Sequence, residues 1–385
     1  MAALGFVGMA GSVSTDLYLP AFPGIAADFG VSATAVQFTL TAFLIGAACG
    51  QLLIGAMSDA VGRRRTLLIA LTAFAVCGYV AALSPTFGML VAVRALQGFA
   101  GAAGAVLARA VISDLADRDA ALRGFSALWA MTALGPAIAS PLGALLATAG
   151  GWRAALTGLA VVATAMLISS ALLIPESLPA ERRHPLSFAP LARNVGGLVR
   201  VPAYVALTLA FAAGYASLMV YISSSSFIVQ GVFGAGPGGY ALTFTYSSLV
   251  IMAGAWASGR AATRLGALRV LRGAQALAVL AASVAAGLAL TGVLGFVSYL
   301  VLVGCFALGC GGILSCASAL ALGRAPHARG AASALLGFTQ FALGAAASPL
   351  GGLMGAGSAV PATVAMSVLA TTGLVAGVTF RRSGE

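Results

Sequence analysis

Gly55-Ala-Met-Ser-Asp59-Ala-Val-Gly62-Arg63-Arg64-Arg65 separates two long apolar runs, 34–57 and 66–84. Each run is long enough to cross a bilayer as a helix, which takes about 20 residues. The connection is short enough to demand a tight turn, and Gly62 permits one. Three arginines close it, which suits a cytoplasmic loop. A mere cationic anchor needs neither a glycine nor a carboxylate. Asp59 can face the positive end of a nearby helix, and Arg63 can bridge to a neighbour. Asp114 and Asp117, at the end of the fourth apolar run, are the nearest candidates for that bridge. Gly55, Asp59, Gly62, Arg63 and Asp114 are therefore expected to act together in gating.

The rest of the chain has the same character. Of 385 residues, 61% are hydrophobic and 8% charged, where a soluble domain carries about 25% charge. Mean hydropathy is +1.04. A soluble surface cannot be built from so few charges, so secreted, nucleic-acid-binding and cytosolic enzyme classes are excluded. The net charge of +11 comes from 20 arginines and no lysine. The placement of those arginines carries more information than their number. Cys49, Cys77, Cys305, Cys310 and Cys316 all lie in apolar runs at spacings that fit no zinc or redox motif. His184 and His327 fall in polar loops. The first apolar run has no basic leader and is interrupted by Asp16, so no cleavable signal peptide is expected. The chain opens almost inside the membrane, which suggests a very short tail or a start placed slightly late.

Twelve apolar segments are predicted as transmembrane helices: 3–24, 34–57, 66–84, 87–112, 123–148, 153–175, 202–228, 239–259, 268–292, 295–322, 330–355 and 359–380. The one long polar stretch, 176–200, reads as a cytoplasmic linker between halves at 1–175 and 201–385. With the N-terminus inside, 17 of the 20 arginines fall in inward connections and Arg153 alone in an outward loop. Both termini are then cytoplasmic. The halves also look duplicated. Ser126-Ala-Leu-Trp-Ala-Met-Thr132 resembles Ser333-Ala-Leu-Leu-Gly-Phe-Thr339, and Ser140-Pro-Leu-Gly143 recurs as Ser348-Pro-Leu-Gly351, at offsets of 207–208. Gly55, Gly62 and Arg65 recur as Gly259, Gly266 and Arg269 at an offset of 204. The expected fold is an all-α polytopic membrane protein, twelve helices in two parallel six-helix repeats, the signature of a large transporter fold.

The 55–65 turn resembles the signature G-x-x-x-D-x-x-G-R-R of the major facilitator superfamily. The usual arginine after the aspartate is Ala60 here, and the second half has Thr263 in place of the aspartate. Arg94-Ala-Leu-Gln97-Gly98 with Gly101 and Gly104 looks like a second motif of that superfamily. Gly135-Pro136-Ala-Ile-Ala-Ser140-Pro141-Leu-Gly143 is similar to the motif that marks its drug:proton antiporters. Asp16-Leu-Tyr18-Leu-Pro20-Ala-Phe-Pro23 and Tyr221-Ile-Ser223-Ser-Ser-Ser226-Phe227 resemble the bicyclomycin- and chloramphenicol/florfenicol-resistance (Bcr/CflA) subfamily, where a proline more often stands at 226. The resemblance spans nearly the whole chain.

Two ionisable residues interrupt spans at depth, Asp16 and Arg94, each costing about 2.5–3.5 kcal/mol at a span centre. Counted from the outer ends of their runs, both lie roughly 10–12 Å deep at 1.5 Å per residue. Equal depth suits a pair or a water-linked couple. Burial disfavours a carboxylate and a guanidinium favours it, and those opposed pulls suit a proton carrier. The resemblance implies the same role, proton coupling and substrate binding, for Asp16 and Arg94. Some multidrug relatives carry a second acid two turns earlier. That position is Gly8 here, which favours neutral or weakly polar substrates. Arg109 and Asp114 lie near the inner end of the fourth run; snorkelling or anchoring is the plainer reading of both.

Gly135, Pro136, Pro141 and Gly143 predict a bent, closely packed fifth helix that seals one access state against the eighth. The resembling fold lines its cavity with helices that here carry Tyr18, Gln97, Trp129, Met131, Tyr215, Met219, Tyr221, Phe244 and Gln340. The run Ser223 to Ser226 is either a cavity mouth or a helix end. The expected activity is proton-coupled efflux of small-molecule drugs, phenicol- or bicyclomycin-like, by alternating access, from the bacterial inner or plasma membrane. The alternative is export of a narrow endogenous metabolite. No catalytic cluster or sensor domain supports an enzyme or a receptor. No cofactor or metal is expected beyond the proton gradient. The expected partners are drug, protons and lipid, with no nucleic acid, and the expected state is a monomer.

Overall fold

The computed structural model describes residues 2–115, 118–179, 181, 183, 189–325, 329–355 and 357–379. Asp117, Arg182, His184, His327, Arg381 and Arg382, and the side chains of Arg118, Arg123, Trp129 and Arg329, lie outside the described residues. All regular structure among the described residues is helical.

Where a single first helix is predicted over 3–24, the chain forms α1 (Ala2–Gly8), α2 (Ala10–Asp16) and α3 (Phe22–Phe29), with a 3-10 turn at Leu19–Ala21. The first break falls at Met9, and Pro20 and Pro23 remove backbone donors at the second. The following helices are α4 (Ala33–Val61), α5 (Arg63–Ala82), α6 (Phe87–Leu115) and α7 (Arg118–Leu173). The backbone of α7 leaves helical geometry only at Gly150 and Gly151, between the predicted segments 123–148 and 153–175. A ten-residue helix, α8 (Ala189–Leu198), stands inside the stretch read as linker. Then come α9 (Pro202–Phe227), α10 (Pro237–Leu265), α11 (Ala267–Leu290), α12 (Phe296–Gly323), α13 (Arg329–Ala347) and α14 (Val360–Thr379). Among the described residues, ten helices are long and apolar enough to cross a membrane.

Contacts divide the chain into two compact units. Unit 1 is Met1–Gly30 with Ala42–Phe188, and unit 2 is Val31–Thr41 with Ala189–Glu385. In unit 1, α5 lies on α6 and α7, and α1 and α2 wedge against the same two helices. Helix approach is so close that a Cβ on Gly98 would collide with the Phe43 carbonyl oxygen. At another edge of unit 1, Asp28 Oδ2 accepts from Trp152 Nε1 at 2.9 Å and Arg153 Nη1 at 2.6 Å.

In unit 2, α10 and α11 lie on α12, while α13 and α14 lie on α9. The first residues of α4 belong here. Gln37 Nε2 donates to the Ser223 carbonyl at 3.2 Å, and the Thr41 hydroxyl to the Ala345 carbonyl at 3.1 Å. Pro349, four residues on from Ala345, has no N–H to serve that carbonyl, so Thr41 supplies the missing donor. A half-boundary placed only in the polar linker does not include this segment.

Three pairs of glycines share one spacing and one backbone conformation. Gly30 and Gly234, Gly62 and Gly266, and Gly151 and Gly355 are each 204 residues apart, and all six have positive φ. In that frame the repeated Ser-Pro-Leu-Gly is displaced. Ser140–Gly143 lies within α7, whereas Ser348–Gly352 is a 3-10 turn after α13, four residues closer to its positive-φ glycine. The matched motif is one helical turn out of register between the repeats.

Candidate functional site

Arg94 is fully buried on α6. Its Nη1 donates to Ser14 Oγ at 3.0 Å and Gln97 Oε1 at 2.7 Å, and its Nη2 to the Ser14 carbonyl at 3.0 Å. The guanidinium lies over two aromatic rings, 4.2 Å from the centroid of Tyr18 and 4.6 Å from that of Phe43. Gln97 is one turn along α6, so it reaches the same group, and its Nε2 donates onward to the Phe74 carbonyl at 3.4 Å. A buried cation is thus stabilised by carbonyl, hydroxyl and π-face.

Asp16 is buried at the end of α2, but it makes no ion pair with Arg94. The direct pair that equal depth suggested does not form, and helix periodicity gives the reason. Ser14 and Tyr18 are one turn apart and share the face that meets Arg94. Asp16, midway, points about 200° around the helix from either, at 100° per residue. Gly5, Gly8 and Ser12 mark a different stripe. A Cβ on Gly5 would meet Met131, one on Gly8 would meet Leu128, and one on Gly135 would stand 2.6 Å from the Ser12 hydroxyl. Asp16 continues that stripe at helical spacing, so depth is shared and face is not. The Thr15 hydroxyl is 3.0 Å from Asp16 Oδ1 and 2.9 Å from the Ser12 carbonyl. Its single proton can serve only one of them.

The 55–65 turn forms a second polar cluster in unit 1. Arg63 Nη1 is 2.6 Å from Asp59, and its Nε is 3.0 Å from Asp114 Oδ2. Asp114 also accepts from Ser177 at 3.0 Å. Gly62, at φ 107°, turns the chain so that the Arg63 amide points at Glu176 Oε1, 2.9 Å away. Glu176 therefore caps α5 from far along the chain. Arg64 donates to the carbonyls of Ala171 and Ile174. A Cβ on Gly55 would make only an ordinary contact with Val106. Glu176 and Ser177 were missed by sequence reasoning; a carboxylate directly after an apolar run was the available signal.

Gly135 and Gly143 do admit a close neighbour, and it is the N-terminal segment of the same unit. A Cβ on Gly143 would collide with the Leu17 carbonyl oxygen. These glycine faces are occupied by α2 and its continuation, where the sequence predicts the eighth helix as the neighbour. The backbone stays helical through Pro136 and Pro141.

The nine residues offered for a cavity are distributed over both units. Tyr18 and Gln97 belong to the Arg94 setting, and Met131 lies against Gly5. In unit 2, Tyr221 donates to Ser247 Oγ at 2.8 Å and meets Phe306 edge-on. Tyr215 meets Phe341, Phe244 meets Tyr240, and Tyr215 and Met219 flank Gly344. Met219, Tyr221 and Phe244 are buried, while Tyr215, Met131 and Gln340 are half-buried. Ser223 to Ser226 are all buried within α9, with Ser223 donating to the Ser348 carbonyl at 2.7 Å. That run is the last turn of α9, so of the two readings the structure has the helix end.

A family model described as Major Facilitator Superfamily matches residues 4–349. The chain belongs to the Major Facilitator Superfamily. Among its relatives is an uncharacterised MFS-type transporter, YdgK of Bacillus subtilis, 34% identical over 99% of this chain and 96% of that protein. A bicyclomycin resistance protein homolog of Haemophilus influenzae is 30% identical, covering 87% and 84%. A chloramphenicol resistance protein of Pseudomonas aeruginosa is 31% identical, covering 76% and 70%. The xylose transporter XylE of E. coli, solved in a partially occluded inward-open conformation, superposes with a TM-score of 0.76 at 13% identity, covering 100% and 97%. That last likeness is one of fold. A superfamily member of this kind is a transporter and not an enzyme, and with ten long apolar helices among the described residues it is a multi-pass protein of the bacterial inner membrane. Two of these relatives are named for drug resistance, in line with the subfamily that the motifs around Asp16 and Gly135 resemble.

Proposed function

We propose that this transporter exports small, neutral or weakly polar drugs in exchange for protons. The observation that carries the reading is Asp16. It is a buried carboxyl that forms no ion pair with the buried Arg94, in a chain whose relatives are named for bicyclomycin and chloramphenicol resistance. Twelve spans are counted by taking α1 to α3 as one broken crossing and α7 as two that meet at Gly150 and Gly151. Both termini are then cytoplasmic, as the arginine distribution requires. Export proceeds by alternating access of two six-helix halves.

In this mechanism Asp16 takes a proton from outside and gives it up inside. When the Thr15 proton serves the Ser12 carbonyl, the Thr15 oxygen is free to accept from a protonated Asp16. Arg94 stays charged throughout and holds Tyr18 and the Ser14 backbone in place, so the face of α2 that carries Asp16 keeps its direction. The Arg63–Asp59–Asp114 cluster, with Glu176 on the α5 amide, serves as a conformational lock, and α7 with Gly135, Pro136, Pro141 and Gly143 as the element that moves with Asp16. Tyr18, Gln97, Trp129, Met131, Tyr215, Met219, Tyr221, Phe244 and Gln340 are the residues from which drug contacts are drawn.

Expression in a pump-deficient bacterium tests this reading. Phenicols, bicyclomycin, sulfonamides and cationic dyes form the panel. Wild type should raise resistance to the uncharged drugs, and normally expressed Asp16→Asn should fall to the vector level. Resistance that survives in Asp16→Asn would reject Asp16 as the coupling group.

A further inference from the structure

Charge in unit 2 has one sign. Ten arginines lie beyond residue 188, and the only acidic side chain there is Glu385. In unit 1 the cationic turn has its counter-ions, with Arg63 held by Asp59 and Asp114. The matching turn of unit 2, 204 residues on, keeps Gly266 and Arg269 but has Thr263 where unit 1 has Asp59. Arg260, Arg264, Arg269 and Arg272 crowd this turn, and among the described residues none of them forms an ion pair. Nε and Nη2 of Arg272 are buried without a hydrogen-bond partner. Arg260 lies over the ring of the exposed Trp256, 3.8 Å from its centroid. Such a cluster calls for an anion that the chain itself does not provide.

From the same turn an open-sided groove of about 420 Å³ runs between α10 and α11 to the surface of α12. Gly254, Ala257 and Ala261 on α10, and Gly273 and Ala274 on α11, form its walls, and Arg269 stands at the turn end. Gly254 to Leu265 extends roughly 16 Å at 1.5 Å per residue, about the hydrocarbon depth of one leaflet, half of about 30 Å. Small side chains leave room for a flexible chain where larger ones would fill the groove.

We propose that this groove binds an anionic phospholipid, one acyl chain along the small residues of α10 and α11 and the phosphate at Arg269, which lines the groove, with the charge of Arg272 one turn further along α11 in support. Basic pockets between membrane helices are suited to such headgroups. This site is independent of the drug and of proton coupling.

Native mass spectrometry of the full chain, released from nanodiscs holding equal phosphatidylglycerol and phosphatidylcholine, provides the test. Wild type should retain one phosphatidylglycerol in preference to phosphatidylcholine. Arg269→Gln with Arg272→Gln should lower that occupancy about tenfold or more, two cationic charges near the headgroup being lost, while the Lys pair at the same sites retains most of it. Ala261→Leu with Gly273→Leu should lower it with every arginine in place, so either set alone can decide if the other fails to fold. Unchanged phosphatidylglycerol occupancy in a folded Gln pair would overturn the site. Displacement by millimolar inorganic phosphate, with no effect of the groove-filling pair, would overturn the lipid in favour of a free anion.

Discussion

Arg94 shows how a cation can be kept inside a membrane protein without a carboxylate beside it. Its planar fork reaches Ser14 and Gln97 at once, while the guanidinium lies over Tyr18 and Phe43. Lysine has the charge but neither the fork nor the flat faces. Arg94→Lys is therefore expected to express and still lose at least about tenfold of drug export, because the lost charge-assisted contacts are each worth about 1.5–3 kcal/mol; an export assay on inverted vesicles checks it. A second residue-scale prediction concerns Asp28, outside the first apolar run. Arg153, and then Trp152, hold its carboxyl below the usual carboxylate range. A depressed group contributes its stabilisation above the unfolded value, near 3.9, and loses it as pH falls through the lowered value. With Trp129 and Trp256 replaced by Phe, Trp152 emission should stay flat from pH 7 to about 4 and change only below that. Asp28→Asn should remove the acid transition. Asp16 and Arg94 were legible in the sequence because charges stand out in apolar runs. Ser14 and Phe43 were not, because nothing in a serine or a phenylalanine tells which of many will meet a distant guanidinium. The absence of an Asp16–Arg94 pair was equally hidden: residue counting yields depth, and facing direction depends on how α2 is wedged.

At the scale of elements, α7 and the N-terminal helices form one packing unit. Gly143 leaves room for the Leu17 carbonyl, and a methyl there would meet rigid backbone. Gly143→Ala is expected to destabilise by about 2–3 kcal/mol and lower Tm by about 3–4 °C, read by thermal unfolding in detergent. Gly88→Ala, where nothing stands within 4 Å, should leave Tm unchanged or slightly raised. Hydropathy located the long helices well, because it measures what a bilayer requires. It could not see that Pro20 and Pro23 break the first crossing, since a broken segment is as apolar as a continuous one. Nor could it show α8, a short helix in a polar stretch that no membrane selects. The Ser-Pro-Leu-Gly repeat is the instructive case. Letters matched at 207–208, while the positive-φ glycines fix the backbone repeat at 204. Local packing of a motif can drift by a turn while the turns that join helices stay in register.

Across the whole molecule, duplication and arginine placement argue for one topology. A C-terminal green fluorescent protein should fluoresce and a C-terminal alkaline phosphatase should be inactive, as an even number of spans from an inside start requires. The opposite pair of results would contradict the twelve-span count. Thr41 and the Ala345 carbonyl show that the first residues of α4 pack with unit 2, a division no loop composition announces. In the proposed exchange, the Asp16 carboxyl joins these features into one function. Reconstitution into proteoliposomes with an internal pH dye measures this directly. An imposed drug gradient should move protons in the opposite direction through wild type and leave them unmoved through folded Asp16→Asn. Equal proton movement in the two proteins, or drug flux through wild type with none, would contradict exchange through Asp16.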